Sequence, residues 1–220
     1  MPSGLDHASL LCLLAWLSPG FPTGAFACSH GLEWAVESGD IANETDLQTW
    51  LEDILAHGAG RTDAILLRHA HRAAHDPAAL AALAELARAA APARERRNET
   101  TDLGTAFAAA AAPWSPPPLP PAPPYPIALG ALSGAHGIDE DATVAAAAQA
   151  FAANLISAAV RLVPLGQSAG LRVLAALEPA IRHVTDTTRA ATPDDIGASA
   201  FRSDLAAMRH ETQYTRLFRT

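Results

Sequence analysis

The chain contains no lysine; all fifteen of its basic side chains are arginines. A Schiff-base lysine is therefore excluded, and so is the lysine that a P-loop sets against nucleotide phosphates. No glycine-rich loop ending in Lys-Ser/Thr is present either, so this chain is not expected to bind nucleotide in that manner. Cysteine is almost absent. Cys12 and Cys28 are the only two, too few for a disulfide framework or a complete metal site, and they read as buried free thiols of a cytosolic protein. Aromatic residues make up only 5% of a chain that is half hydrophobic. Alanine fills much of the remainder, which favours helix and lets helices pack closely. No stretch alternates apolar and polar residues well enough to predict a strand.

What is present is a 220-residue acidic chain with a formal net charge of −8. That length suits one domain with a sizeable core. An acidic body is a poor general binder of polyanions, so no nucleic-acid partner is expected. The local exception is the C-terminal end, where Arg202, Arg209, Arg216 and Arg219 stand against Asp204 and Glu211. A basic end on an acidic body suits a protein partner with an acidic patch.

Two segments imitate membrane or export signals. Residues 10–17 are apolar, and Ala25-Phe26-Ala27 before Cys28 resembles a processing site. No basic region precedes them, however, since the first arginine is Arg61 and Asp6 lies ahead of the apolar run. The segment reads as a first core helix. Residues 142–160 carry no charge, but Thr143, Gln149, Asn154 and Ser157 oppose membrane insertion. They predict a helix buried in a soluble protein, and no membrane partner is expected.

Nearly every segment reads as helix. Leu47, Trp50, Leu51, Ile54 and Leu55 form one apolar stripe, capped by Asn43 with Asp46 and ended by Gly58. Asp63 is expected to open the next helix, running to His75. Asp76-Pro77 opens another, Pro92 ends it, and a further helix is expected over 94–112. Thr192-Pro193-Asp194-Asp195 is expected to start the terminal helix. A long central helix over 139–163 carries a polar stripe of Asn154, Ser157 and Arg161; this is a solvated edge, a subunit interface or the lining of a polar passage. Residues 113–126 hold nine of the seventeen prolines and predict an extended connection, a stiff linker or a docking site for a proline-recognition module. Together these give an all-α fold: a single-domain helical bundle of about eight to ten helices over 1–220.

No catalytic constellation stands out. Ser29 and His30 are adjacent, and neighbouring helical side chains do not face each other. A Gly-x-Ser-x-Gly elbow is missing. Among nine histidines, His71 and His75 would share a helix face as two metal ligands do, but Arg68 and Arg72 beside them repel cations. They are weak metal candidates, with solvated histidines as the plain reading. The loop from Ser18 to Gly24, with two prolines and two glycines around Phe21, is a rigid turn. Ser29 and Glu33, one helical turn apart, either lock that turn or present a surface with Glu33 as its charge.

The last residues, Met208-Arg-His-Glu-Thr-Gln-Tyr-Thr-Arg-Leu-Phe-Arg-Thr220, are of the types enriched in binding hot spots. On a continuous helix Phe201, Leu205, Met208 and Thr212 form an apolar stripe, and Arg202, Arg209, Gln213 and Arg216 a basic one. The helix packs on its own domain, or the tail over 202–220 is kept for a partner.

Three blocks, residues 18–33, residues 154–167 and this tail, resemble the motifs of the urease accessory protein UreF family, in the right order and at sensible spacing. The resemblance implies an all-α, cytoplasmic, homodimeric accessory protein that is not itself an enzyme. It implies binding to UreD (also called UreH), recruitment of the GTPase UreG, and delivery of nickel to the urease apoprotein. GTP would be bound by that partner, whose hydrolysis is modulated or gated, and nickel would only be in transit. Carried onto this sequence, Arg209, His210, Glu211, Tyr214, Arg216, Leu217 and Phe218, with Arg202 ahead of them, would dock UreD. Ser18, Pro19, Pro22, Gly24, Phe26, Ser29, Gly31 and Glu33 would face the GTPase or the dimer seam. Arg161 and Gln167 match the central block, and Arg161 or a tail arginine is a candidate arginine finger. The family commonly has tyrosines where this chain has Phe26 and Cys28, and glutamine at His30. Two rival readings remain: a helical enzyme with a buried small-molecule pocket, and a stand-alone nickel-binding protein.

Overall fold

The computed structural model describes residues 6–220; the expectation of one domain over the whole chain also covers residues 1–5, which lie outside them. Among the described residues there is no strand. The helices are α1 (His7–Trp16), α2 (Leu32–Glu37), α3 (Glu44–His57), α4 (Ala59–Arg72), α5 (Pro77–Ala90), α6 (Arg94–Ala110), α7 (Tyr125–Ala135), α8 (Glu140–Leu162), α9 (Gln167–Ala176), α10 (Glu178–Thr187) and α11 (Phe201–His210). Short 3-10 turns fill Ala25–Ala27, Ala112–Trp114 and Pro193–Asp195. α3 and α4 are separated by Gly58 alone, and α9 and α10 by Leu177 alone. Taking each of these pairs as one element leaves nine.

Side-chain caps start four helices, those at Asn43 and Asp76 where the sequence indicated. Asp6 accepts from the Ser9 amide, Asn43 from Thr45 and Asp46, Asp76 from Ala78 and Ala79, and Asp139 from Ala142. Three boundaries differ from expectation. Asp63 does not open α4. Gly58 breaks the chain for a single residue, the helix restarts at Ala59, and Asp63 falls inside it. The Thr192–Asp195 capping box closes a 3-10 turn, and the terminal helix begins six residues after it. The proline segment is not extended throughout. Pro113 sits in a 3-10 turn and Pro126 in the first turn of α7, positions where a missing N–H costs nothing.

One apolar core joins Leu13 and Trp16 of α1 with residues from α2, α3, α4, α6, α7, α8, α9 and α10. A smaller cluster under α5 unites Leu66, Leu80 and Ile127, and Leu119 of the proline segment packs on both. α8 is long and apolar enough to cross a membrane by length and composition. Here it packs inside the core against α2, α4, α9 and α10, with Leu155 and Ala159 buried. α7 lies unusually close on α4. A methyl group added at Gly130 would sit 2.3 Å from the Leu67 carbonyl oxygen, and one at Gly134 2.1 Å from that of His71. Buried Arg68 then ties α4 to α8 and α10, donating to Glu140, to Asp141 at 2.7 Å, and to the Thr185 carbonyl at 2.6 Å. Its Nε donates to the Thr188 hydroxyl at 3.1 Å, and a buried charge of this kind persists because every guanidinium nitrogen finds an acceptor.

Candidate protein-docking site

The continuous C-terminal helix predicted by the two stripes does not form. α11 ends at His210, and residues 211–220 turn back as an irregular strap of turns and bends over the 3-10 turn at 25–27 and the start of α2. The strap is hydrogen-bonded along its length. The Arg219 amide donates to the Ala27 carbonyl at 2.8 Å. The Thr220 carbonyl accepts from both the amide and the hydroxyl of Ser29, at 2.7 and 2.6 Å. Oε1 of Glu33 accepts from the Leu217 amide at 2.6 Å, and Oε2 from the Phe218 amide at 2.9 Å. This satisfaction of consecutive backbone donors by one carboxylate is why an acidic residue at 33 is buried at all.

The segment 18–33 is shaped for this role. Gly24 (φ 83°) precedes the 3-10 turn, and His30 (φ 60°) and Gly31 (φ 75°) make a left-handed pair that starts α2. A Cβ on Gly31 would lie 2.6 Å from the Ala207 amide nitrogen, so glycine also permits α11 to lie against α2. Arg161, in the last turn of α8, completes the frame. Its guanidinium carbon lies 3.8 Å from the centre of the Phe26 ring and 4.3 Å from that of Phe218, and it donates to the Phe26 carbonyl at 2.9 Å. An arginine engaged this way is an organiser of the strap and not a free finger.

Several expected surface residues therefore face inward. Ser29, Glu33, His210 and Phe218 are buried, so Glu33 is not a presented charge; it holds the strap from beneath. Phe26, Tyr214 and Leu217 point outward, at 67%, 102% and 64% exposure, and Arg209 and Arg216 are exposed as well. Glu211 is half-buried and accepts from the Glu95 amide at 3.2 Å. Ser18, Pro19, Pro22 and Gly24 are exposed along the preceding turn, and Gln167 is exposed at the first residue of α9. Arg202 points away to Asp40, 2.5 Å distant. His71 is held by the Ile138 carbonyl, with Nε2 at 2.7 Å, while His75 is exposed in the turn after α4. Among the described residues no three His, Cys, Asp or Glu side chains converge as a metal site.

The helix expected over 94–112 is α6, but its part in the site was not expected. Glu95 pairs with Arg216 at 2.7 Å and with His210 Nδ1 at 2.6 Å. One turn on, Arg96 and Glu99 form a buried ion pair, with His30 Nδ1 3.4 Å from Glu99 and the Thr220 hydroxyl donating to it. Burial opposes ionisation of Glu99, but Arg96 and His30 outweigh it and hold its carboxyl well below the usual range. Burial, reinforced by the Arg96 charge, lowers His30 to about 4, so its ring is neutral near pH 7. Burial, then the Glu99 charge, pushes the Cys28 thiol up to about 11, which makes it unreactive. Burial likewise raises Asp63 to about 6 against the pull of Arg96. The Arg96/Glu99 spacing of i, i+3 was visible, but nothing in the sequence showed that this charged turn lies inside.

These features describe an all-helical body carrying a pinned C-terminal strap that leaves Tyr214 and Leu217 exposed. Comparison with known proteins gives its family. The UreF family model matches residues 41–178. A "Urease accessory protein UreF" from Cereibacter sphaeroides is 54% identical, covering 97% of this chain and 99% of that protein. One from Methylorubrum populi is 50% identical over 96% of this chain and 98% of its own length, and one from Xanthobacter autotrophicus is 51% identical over 96% and 91%. The chain belongs to the UreF family of urease accessory proteins, which supports a role in urease maturation.

Proposed function

We propose that this chain is a non-enzymatic scaffold of urease maturation. It docks UreD through its C-terminal strap and, as that complex, recruits the GTPase UreG to the urease apoprotein. GTP is bound by UreG and nickel passes through the assembly without a resident site on this chain. The protein works in the cytoplasm, as a homodimer. The observation that carries the reading is the strap itself. It is fixed against the body at residues 216–220, yet it leaves Tyr214 and Leu217 exposed. Exposed tyrosine and arginine are among the residue types enriched in binding hot spots. A scaffold couples a GTPase to metal transfer through contacts that differ between nucleotide states, and needs no catalytic group of its own.

Co-purification tests it. Tagged UreD is expected to retain this chain, and the pair is expected to retain UreG. Failure of UreD to retain the wild-type protein at micromolar concentration would remove the proposal.

A further inference from the structure

His210 is the last residue of α11 and the last before the chain reverses. Its ring is fully buried, so it does not touch a partner. Each ring nitrogen instead faces a carboxylate from a different helix: Nδ1 lies 2.6 Å from Oε2 of Glu95 on α6, and Nε2 lies 3.3 Å from Oε2 of Glu33 on α2. Both carboxylates also hold the strap beyond the reversal. Glu33 takes the amides of Leu217 and Phe218, and Glu95 takes the Arg216 guanidinium. One ring therefore connects the start of the strap to the two groups that bind its far end.

We propose that His210 is the positioning residue of the strap: clasped between Glu33 and Glu95, it sets the register in which residues 211–220 lie on the body. Along the strap Phe218 and Thr220 are buried while residues 214–217 and Arg219 are exposed, so a slip of one residue unseats the buried pair. In the observed register Phe218 is buried over Arg161 and Leu217 faces solvent. A shift by one would take the phenylalanine out of its seat over Arg161. The functional meaning of this role rests on the docking reading above; the geometry of the clasp does not.

The test uses the full chain and reads amide hydrogen exchange residue by residue. In His210→Ala the Leu217 and Phe218 amides are expected to lose protection by about tenfold or more, while α4 and α7 exchange as in the wild type. His210→Gln places an amide nitrogen near the Nε2 position and is expected to restore most of that protection; His210→Asn, which mimics Nδ1, is expected to restore less. Unchanged protection of Leu217 and Phe218 in His210→Ala overturns the proposal. If α4 and α7 also exchange faster, the ring's removal has loosened the whole body, and Glu95→Gln decides by the same two readings. A second measurement separates this role from docking. Leu217→Ala is expected to weaken UreD binding by about tenfold in the wild type and by less than about twofold in His210→Ala. Loss of exchange protection with no effect of Leu217→Ala in either background would uphold the positioning role and sink the docking reading. Full additivity of the two substitutions on binding would count against His210 acting through the strap.

Discussion

The Glu33 carboxylate accepts hydrogen bonds from the amides of Leu217 and Phe218, 184 and 185 residues away in the chain. This contact joins the first and last of the three sequence blocks into one structure. It also explains why a motif near the N-terminus and a motif at the C-terminus belong to the same site.

Glu33→Gln offers one carbonyl oxygen and an amide donor where two acceptors are needed. Leaving a backbone N–H unpaired costs about 1–3 kcal/mol. The strap is expected to detach more often than the body unfolds, so trypsin is expected to cleave after Arg216 and Arg219 about tenfold faster than in the wild type. Equal cleavage rates would show that other contacts suffice.

Arg161 is sandwiched by two rings, and each cation–π contact of this partly desolvated kind contributes about 0.5–2 kcal/mol. Arg161→Leu is expected to destabilise the protein by about 1–2 kcal/mol, read from the denaturant midpoint. Arg161→Lys is not expected to restore it, because an ammonium neither stacks between two rings nor reaches the Phe26 carbonyl in the same plane.

Asp63→Asn is expected to stabilise the protein at pH 7 by about 2 kcal/mol, with the gain fading towards pH 4. The sign follows from proton binding. The unfolded carboxyl releases its proton near 3.8, the folded one near 6. Between those values the folded chain holds more protons, so its stability falls as pH rises, and above about 6 the penalty is constant. Urea melts of both proteins at pH 4 and pH 7 check this; an equal difference at the two pH values would contradict it.

Gly134→Ala is expected to lower stability by about 1–3 kcal/mol, since the added carbon would meet the His71 carbonyl oxygen. Gly166→Ala is the control. Nothing lies within 4 Å of its added carbon, and the change is expected to stay within about 0.5 kcal/mol. Thermal melts distinguish the two.

The helices were legible because capping and periodicity are local. Asn43 and Asp76 cap in the structure the helices they were expected to open, and the long helix expected from Asp139 begins beside it. Asp63 misled because a carboxylate near a helix start is usually a cap, whereas here Gly58 had already restarted the helix. The tail misled for a different reason. The stripe from Phe201 through Gln213 fits a helix, but Glu33 and Ser29 supply the strap's backbone partners from the other end of the chain, and tertiary hydrogen bonds outweigh local propensity. Glu95 was invisible as a site residue because one acidic side chain in the run Arg94-Glu95-Arg96-Arg97 looks like a solvated helix start. Burial, which distinguishes it, is a property of the assembled fold.

The central claim is that Phe26, Tyr214 and Leu217, as pinned by the strap, form the docking surface used in urease maturation. Its most direct test is the nickel content of urease purified from cells carrying either the wild-type chain or the triple variant Phe26→Ser, Tyr214→Ser and Leu217→Ser, with folding checked by circular dichroism. A folded variant that leaves urease largely without nickel is the expected result. Urease metallated to the wild-type level by that variant would contradict the account.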